Sequence, residues 1–279
     1  MDIYMNFVLW TTHVSEQEFT LFKELKDMGY TGVEIPVFGG EREHYQKMGK
    51  AIKEVGLKCI AVTCVGADND PASHLPEVQE EGLNQLKWAV DMCTELGATL
   101  LVGPFYAAHG KFDIVDGIDE CRKRSAKVVK SAAQYAQTKG ITFSLEFLNR
   151  FEIFLLNCAS DTSDYLKLVD EENVGILYDT HHANIEEKSI TETFAKYGHQ
   201  FNHIHFSESH RGILGDGQVN WQETKEALAK IDYKGDVAIE AFAHDLPGFS
   251  EVAHVWRALF DSKLDLCKSS ISFVKETFK

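Results

Sequence analysis

The sequence predicts a (β/α)8 TIM barrel, and three observations carry that expectation. Short apolar segments of strand character alternate with amphipathic segments along the whole chain, eight times over. Glycines stand where several of the amphipathic segments should stop. No linker or low-complexity run interrupts the alternation, so residues 1–279 read as a single barrel domain with a helical C-terminal region over about 252–279. A doubly wound open sheet is the alternative. No GxGxxG follows the first strand, which argues against its dinucleotide-binding form.

In order, the first strand is expected at Ile3–Trp10 and the first helix over about 15–28, with Ser15 and Glu18 spaced as a capping box and Gly29 behind it. Gly32–Phe38 reads as the second strand, followed by a helix from about Glu43 to Val55 ending at Gly56. Lys58–Val65 is the third strand; a loop with Asp70-Pro71 leads to a long helix, about Leu75 to Leu96, stopped at Gly97. Thr99–Phe105 and a helix over Gly117–Lys139 complete the first half. In the second half the strands are Ile141–Leu148, Val174–Thr180, Phe201–Glu208 and Asp236–Phe242. Their helices run over about 161–169, 189–197 and 221–231, and Val252–Phe278 is largely helical.

Composition narrows the function. With 44% hydrophobic and 25% charged residues the chain should form a soluble globule with a sizeable core. Lys+Arg of 28 against Asp+Glu of 43 gives a formal charge of −15, which repels nucleic-acid phosphates and anionic membranes. The six cysteines form no CxxC pair and read as buried thiols in a reducing compartment. The start, MDIYMNFVLW, lacks a basic leader and no apolar run has the length of a membrane span, so a cytoplasmic protein is expected.

The stretch Ile141–Glu152 organises the functional reading. With a period of two, Phe143, Leu145 and Phe147 fall on one side; Thr142, Ser144 and Glu146 fall on the other. A strand covered by helices should be apolar on both faces, yet this one points a carboxylate inward near its C-terminal end. The pattern recurs with Asp179 in VGILYDT, His205 in FNHIHFSE and Glu240 in DVAIEAF. In a barrel, functional groups lie at the C-terminal ends of strands, so these four should converge. Any one alone would mean little, because a late-strand Glu is as often a structural ion pair as a ligand and a strand His is more often a satisfied core residue. Together, three clustered carboxylates would repel unless a cation neutralised them. Oxygen-rich ligands with a single His favour a hard divalent ion, Mn²⁺ first, with Mg²⁺ or Co²⁺ as alternatives, over zinc. Glu152, His182 and Arg211 follow their ligands by three to six positions, in loops where a substrate would reach.

The set Glu146, Glu152, Asp179, His182, His205, Arg211 and Glu240, with the runs SLEFLNRFE, YDTHH, HIHFSESHRGILGDG and AIEAF, resembles the D-tagatose 3-epimerase/D-psicose (allulose) 3-epimerase family of xylose-isomerase-like barrels. The resemblance implies a metal-dependent ketose 3-epimerase with Glu146, Asp179, His205 and Glu240 as ligands. It also implies that Glu146 and Glu240 exchange the C3 proton from opposite faces through a cis-enediolate, and that Glu152, His182 and Arg211 bind the sugar near O1 and O2. It implies a small-molecule sugar as partner and a homo-oligomer, dimer or tetramer.

Two departures bear on the substrate: family members acting on free ketohexoses usually carry an aromatic residue where Asn6 stands, and often a tryptophan near the position of His109, so a different ketose such as L-ribulose, or a larger or modified sugar, is the alternative. Trp10, Glu34, Phe105 and Phe242 are further candidates for the wall or for the layer that supports it, each at least as readily explained by barrel packing. Competing readings are a sugar isomerase moving the proton between C1 and C2, an endonuclease IV-type nuclease, and a non-catalytic sugar-binding barrel. The acidic charge and the single-histidine site oppose the nuclease; the complete ligand set opposes the non-catalytic barrel.

Overall fold

A computed structural model describes all residues, 1–279. Its eight strands are β1 (Ile3–Asn6), β2 (Gly32–Pro36), β3 (Lys58–Val62), β4 (Leu100–Gly103), β5 (Thr142–Glu146), β6 (Val174–Asp179), β7 (Phe201–Phe206) and β8 (Val237–Ile239). All pair in parallel, each with its sequence neighbour, and β8 returns to β1 to close the barrel. Around it lie α1 (Phe19–Met28), α2 (Arg42–Val55), α3 (Pro76–Leu96), α4 (Ile118–Thr138), α5 (Ala159–Val169), α6 (Thr180–Glu186), α7 (Ile190–Tyr197), α8 (Trp221–Lys230) and α9 (Lys263–Thr277).

The two-residue period of the strands sorts the core into two compartments. Met5, Val33, Ile35, Leu101, Phe143, Leu145, Ile176, Ile204, Val237 and Ile239 face outward, buried against the helices. Tyr4, Ile60, Val62, Val102, Leu177 and Ala238 face the lumen and form a separate apolar cluster. Above that plug, the same inward parity carries Asn6, Glu34, Glu146, Asp179, His205 and Glu240, all buried. The apolar plug therefore sets the floor on which the polar residues stand.

Relative stagger lifts the four late-strand residues to one level. Asp179 lies directly opposite His205, whereas Glu146 pairs with Leu177 and His205 with Ala238, two residues before Asp179 and Glu240 respectively. The register shift at Ile176/Leu177 belongs to the same adjustment.

The structure corrects several boundaries. Strands are shorter than expected; Phe7–Leu9, for example, turns into a 3-10 segment capped by Asn6. The first helix begins at Phe19, after a turn in which Glu18 accepts from the Ser15 N–H and hydroxyl. The short α6 was not foreseen: its sequence, THHANIE, has no apolar period, and its start is set by the Asp179 carboxylate accepting from the His181 and His182 N–H groups. The C-terminal region expected to be helical from about 252 is helical only over Lys263–Thr277, with Ser262 as N-cap. The apolar residues that suggested an earlier start, Val252, Ala253 and Val255, instead bend over the mouth of the barrel and pack inward.

Gly103, closing β4, takes φ +126, and a Cβ there would overlap the Thr63 carbonyl oxygen. Both strain and steric overlap therefore oppose any side chain. Gly103→Ala should destabilise the fold by roughly 2–4 kcal/mol, measured by urea unfolding; an unchanged midpoint would contradict this packing.

Candidate active site

Glu146, Asp179, His205 and Glu240 meet at the top of the lumen, brought there by β5, β6, β7 and the residue following β8. His205 Nδ1 lies 3.4 Å from Glu240 Oε1, 3.6 Å from Glu146 Oε1 and 3.7 Å from Asp179 Oδ2. One donor atom from each of the four falls within 4.8 Å of the others. The opposite ring nitrogen, Nε2, lies 3.0 Å from Glu34 Oε1, and Glu34 also holds His203 Nε2 at 3.1 Å. In the neutral form, with the single ring proton on Nε2 directed to Glu34, His205 would present its Nδ1 lone pair to the carboxylates, an arrangement typical of metal-ligating histidines. Nδ1 is buried and has no hydrogen-bond partner. A buried, unpartnered nitrogen aimed into three carboxylates fits a cation, and this donor set suits a divalent one.

The electrostatics tell the same story. Burial first, then repulsion from Glu240 and Asp179, pushes Glu146 up to about 8 against the pull of His205. Burial likewise raises Glu240, with His205 and Arg211 opposing it. For Asp179 burial is outweighed by Arg211, His205 and His182, which hold it well below the ordinary carboxylate range. Burial would lower His205, but Glu34 and Glu240 draw it well above its ordinary value. The centre is thus short of positive charge and recruits it from whatever is near.

Arg211 supplies part of that charge. Its Nη1 donates to Glu240 Oε2 at 2.6 Å, Asp179 Oδ2 at 3.0 Å and Ser207 Oγ at 2.9 Å, while Nη2 meets His182 Nε2 at 2.8 Å. The guanidinium also lies 4.6 Å above the Phe242 ring. To reach this position the Arg211 backbone adopts φ +65, an uncommon conformation for a side-chain-bearing residue. Glu208 supports the loop, accepting from Trp221 Nε1 at 2.8 Å and from the N–H groups of Ser209, Gly215 and Val219.

A second polar line borders the site. Asn149 Nδ2 donates to Glu152 Oε1 at 2.7 Å and lies 3.0 Å from His182 Nδ1, which also accepts the Asn149 N–H. His109 Nε2 lies 3.3 Å from Glu152 Oε2. Burial and the Arg211 charge depress His182 to about 3, so it is neutral near pH 7. For Glu152, burial is outweighed by His182, His109 and Arg211, keeping it ionised.

All seven principal residues are thereby brought to one site, and five of them, Glu146, Glu152, His182, Arg211 and Glu240, line a cavity of about 100 Å³. Of the lesser candidates, Asn6, His109 and Phe242 line that cavity. Trp10, Glu34 and Phe105 do not; the expectation is corrected for Trp10 and Phe105, whereas Glu34 takes the supporting place behind a candidate ligand that was its other expected position. Trp10 packs on Phe7 and Phe105 on Phe143, both on the helix-facing side, while Glu34 is buried beneath His205. The sequence reading missed Asn149 and the apolar wall of Val8, Phe38, Val62, Leu148, Phe249, Val252 and Ala253. Asn149 had a signal, since it stands three residues before Glu152 on a tight turn. The wall had none, because single apolar residues on separate loops show no period.

Comparison with known proteins places this geometry. The family model of the xylose isomerase-like TIM barrel matches residues 22–265. The L-ribulose 3-epimerase of Methylomonas sp. (strain DH-1) is 31% identical over 252 residues, covering 90% of this chain and 88% of that protein. The ketose 3-epimerase of Arthrobacter globiformis is 30% identical over 279 residues, 99% of this chain and 96% of that one. Among solved structures, a D-allulose 3-epimerase from Methylomonas sp. in complex with D-allulose superposes with a TM-score of 0.93 at 28% identity, over 99% of this chain and 97% of that one. No helix here is long and apolar enough to cross a membrane.

The raised Glu146 has a consequence for stability. Between its unfolded value near 4.5 and its folded value of about 8, the native state holds a proton that the unfolded chain releases. Stability of the metal-free protein should therefore fall as pH rises through that window. In chelator-treated protein, Glu146→Gln should be more stable than the parent at pH 8, by roughly 2–4 kcal/mol, and nearly equal to it at pH 4.5. Equal thermal midpoints at pH 8 would refute the strained carboxylate cluster.

Proposed function

The chain belongs to the xylose isomerase-like TIM barrel family and to the ketose 3-epimerases within it; we propose that it interconverts C3 epimers of a free ketose by proton transfer through a cis-enediolate. The observation that carries this reading is the convergence of Glu146 and Glu240 beside the unpartnered Nδ1 of His205. Glu146, Asp179, His205 and Glu240 would hold a divalent ion, Mn²⁺ by preference for its hard, oxygen-rich ligands. Such an ion supplies positive charge where the substrate oxyanion develops.

The residues of this chain account for the rest. Glu146 and Glu240 rise from β5 and from the end of β8, non-adjacent positions on the barrel rim, and so approach a substrate from different sides. One takes the C3 proton and the other returns a proton to the opposite face, which inverts the centre. Glu34 orients His205, and the Asn149–Glu152–His182 line meets the hydroxyls at the C1–C2 end, joined by Arg211. Ionised Glu152 supplies an acceptor suited to a sugar hydroxyl.

The wall supports a free rather than a phosphorylated sugar. The only basic side chains lining the cavity are Arg211, His182 and His109, and each already pairs within the polar network. Apart from Glu146, Glu152, Glu240, Thr63, Cys64 and Asn6 the remaining wall is apolar, with no lysine or free arginine to receive a phosphate.

Solvent-deuterium NMR on D-fructose, D-psicose, D-tagatose, D-sorbose and L-ribulose tests the reading. Mn²⁺-dependent exchange at C3, abolished by EDTA and accompanied by the epimer, is the expected result. Exchange at C1 alone would instead make the protein an aldose–ketose isomerase. Glu240→Gln should keep its fold and lose epimerisation by on the order of 10²-fold or more; near-parental turnover would remove Glu240 from proton transfer.

A further inference from the structure

Asn6 ends β1 at the seam where the barrel closes. On one side it pairs opposite Glu34; on the other, the register Met5 with Ile239 brings it level with Glu240. The side chain is fully buried. Its Oδ1 accepts the Val8 N–H at 2.8 Å, and that bond fixes the sense of the amide. Nδ2 must then face the lumen, where it donates to Glu34 Oε1 at 2.8 Å and to Glu240 Oε1 at 2.9 Å. The reversed amide would set an oxygen against two carboxylates and an NH2 group against an N–H.

The two carboxylates assigned to proton transfer are consequently held in different ways. Each oxygen of Glu240 has its own donor, Asn6 Nδ2 on Oε1 and Arg211 Nη1 on Oε2. Glu146 has only the looser approaches of His205 Nδ1 at 3.6 Å and His182 Nε2 at 3.7 Å. Asn6 also links Glu240 to Glu34, the residue that orients His205.

Building on the epimerase reading above, we propose that Asn6 is a positioning residue for Glu240, locking that carboxylate to the Glu34–His205 pair so that it meets C3 from one face. Removing the amide frees Glu240 and leaves Glu146 untouched, so the two halves of the epimerisation become unequal. For the epimer deprotonated by Glu146, the intermediate waits on Glu240 and is more often returned by Glu146 to the starting sugar, carrying solvent hydrogen. For the opposite epimer the slow step is abstraction itself, and recovered substrate gains little label.

The experiment compares parent, Asn6→Ala and Asn6→Ser, each loaded with Mn²⁺, in D2O from each member of the epimer pair that the parent turns over best. Asn6→Ser keeps a small polar side chain in the buried space, so the result does not depend on the alanine variant folding. The expected result is a kcat lower by roughly tenfold or more with KM little changed, because misplacement alone carries such a cost. The ratio of deuterium in recovered substrate to product formed should rise severalfold from one epimer only. Calorimetry should still find one Mn²⁺ bound per chain. A ratio that shifts equally from both epimers, or not at all, overturns the proposal, as does loss of Mn²⁺ binding in both variants. A parent enzyme silent at C3 on every ketose overturns the epimerase reading and this inference with it; an active parent with symmetric variants overturns this inference alone.

Discussion

Negative charge concentrated in a closed lumen is the constraint on which the rest of the site depends. Three carboxylates from β5, β6 and β8 are buried within reach of one imidazole, where low polarisability makes their repulsion large. The neighbouring residues answer that charge. Arg211 is drawn onto Asp179 and Glu240 at the cost of a left-handed backbone, His205 is drawn toward its protonated form, and Glu146 toward its neutral one. Beneath them Glu34, itself buried, is held ionised at about 2 because His205 and His203 outweigh the cost of burial.

This arrangement needs a rigid frame, which the barrel provides at two levels. An apolar plug fills the lower lumen and fixes the height of the polar layer. The outward-facing half of each strand anchors to the helices, and α9 completes that ring by packing on α1 and α8. The Tyr30 hydroxyl, donating to the Cys267 carbonyl at 2.8 Å, ties α9 to the end of the first βα unit. Beside the lumen, loops that carry little secondary structure are held by buried polar side chains, Glu208 for the Arg211 loop and Asn149 for the Glu152 turn. Polar groups with full hydrogen-bond complements serve here as fasteners for irregular backbone.

Much of the site was legible because strands report their inward residues directly. A carboxylate or imidazole on the inward parity near a strand end is conspicuous in a sequence whose other strand positions are apolar. That signal found Glu146, Asp179, His205 and Glu240, and their loop companions Glu152, His182 and Arg211 followed by proximity. Glu34 carries the same signal but could be read only as a wall residue or one behind it, since parity cannot say whether a group reaches the cavity or lies under another residue. Trp10 and Phe105 failed for a related reason: each lies beyond its strand, where the alternation no longer holds.

The sequence by itself determined the (β/α)8 order, the inward set and its chemical character, because period, glycine stops and residue type are local properties of the chain. Only the tertiary structure decided the rest. Strand stagger set which inward residues share a level, and barrel closure brought Asn6 between Glu34 and Glu240, positions separated by most of the chain. Closure also folded Val252 and Ala253 over the mouth, where the local pattern reads as helix. These are contacts between distant segments, fixed by the geometry of a closed sheet, and no local pattern encodes them.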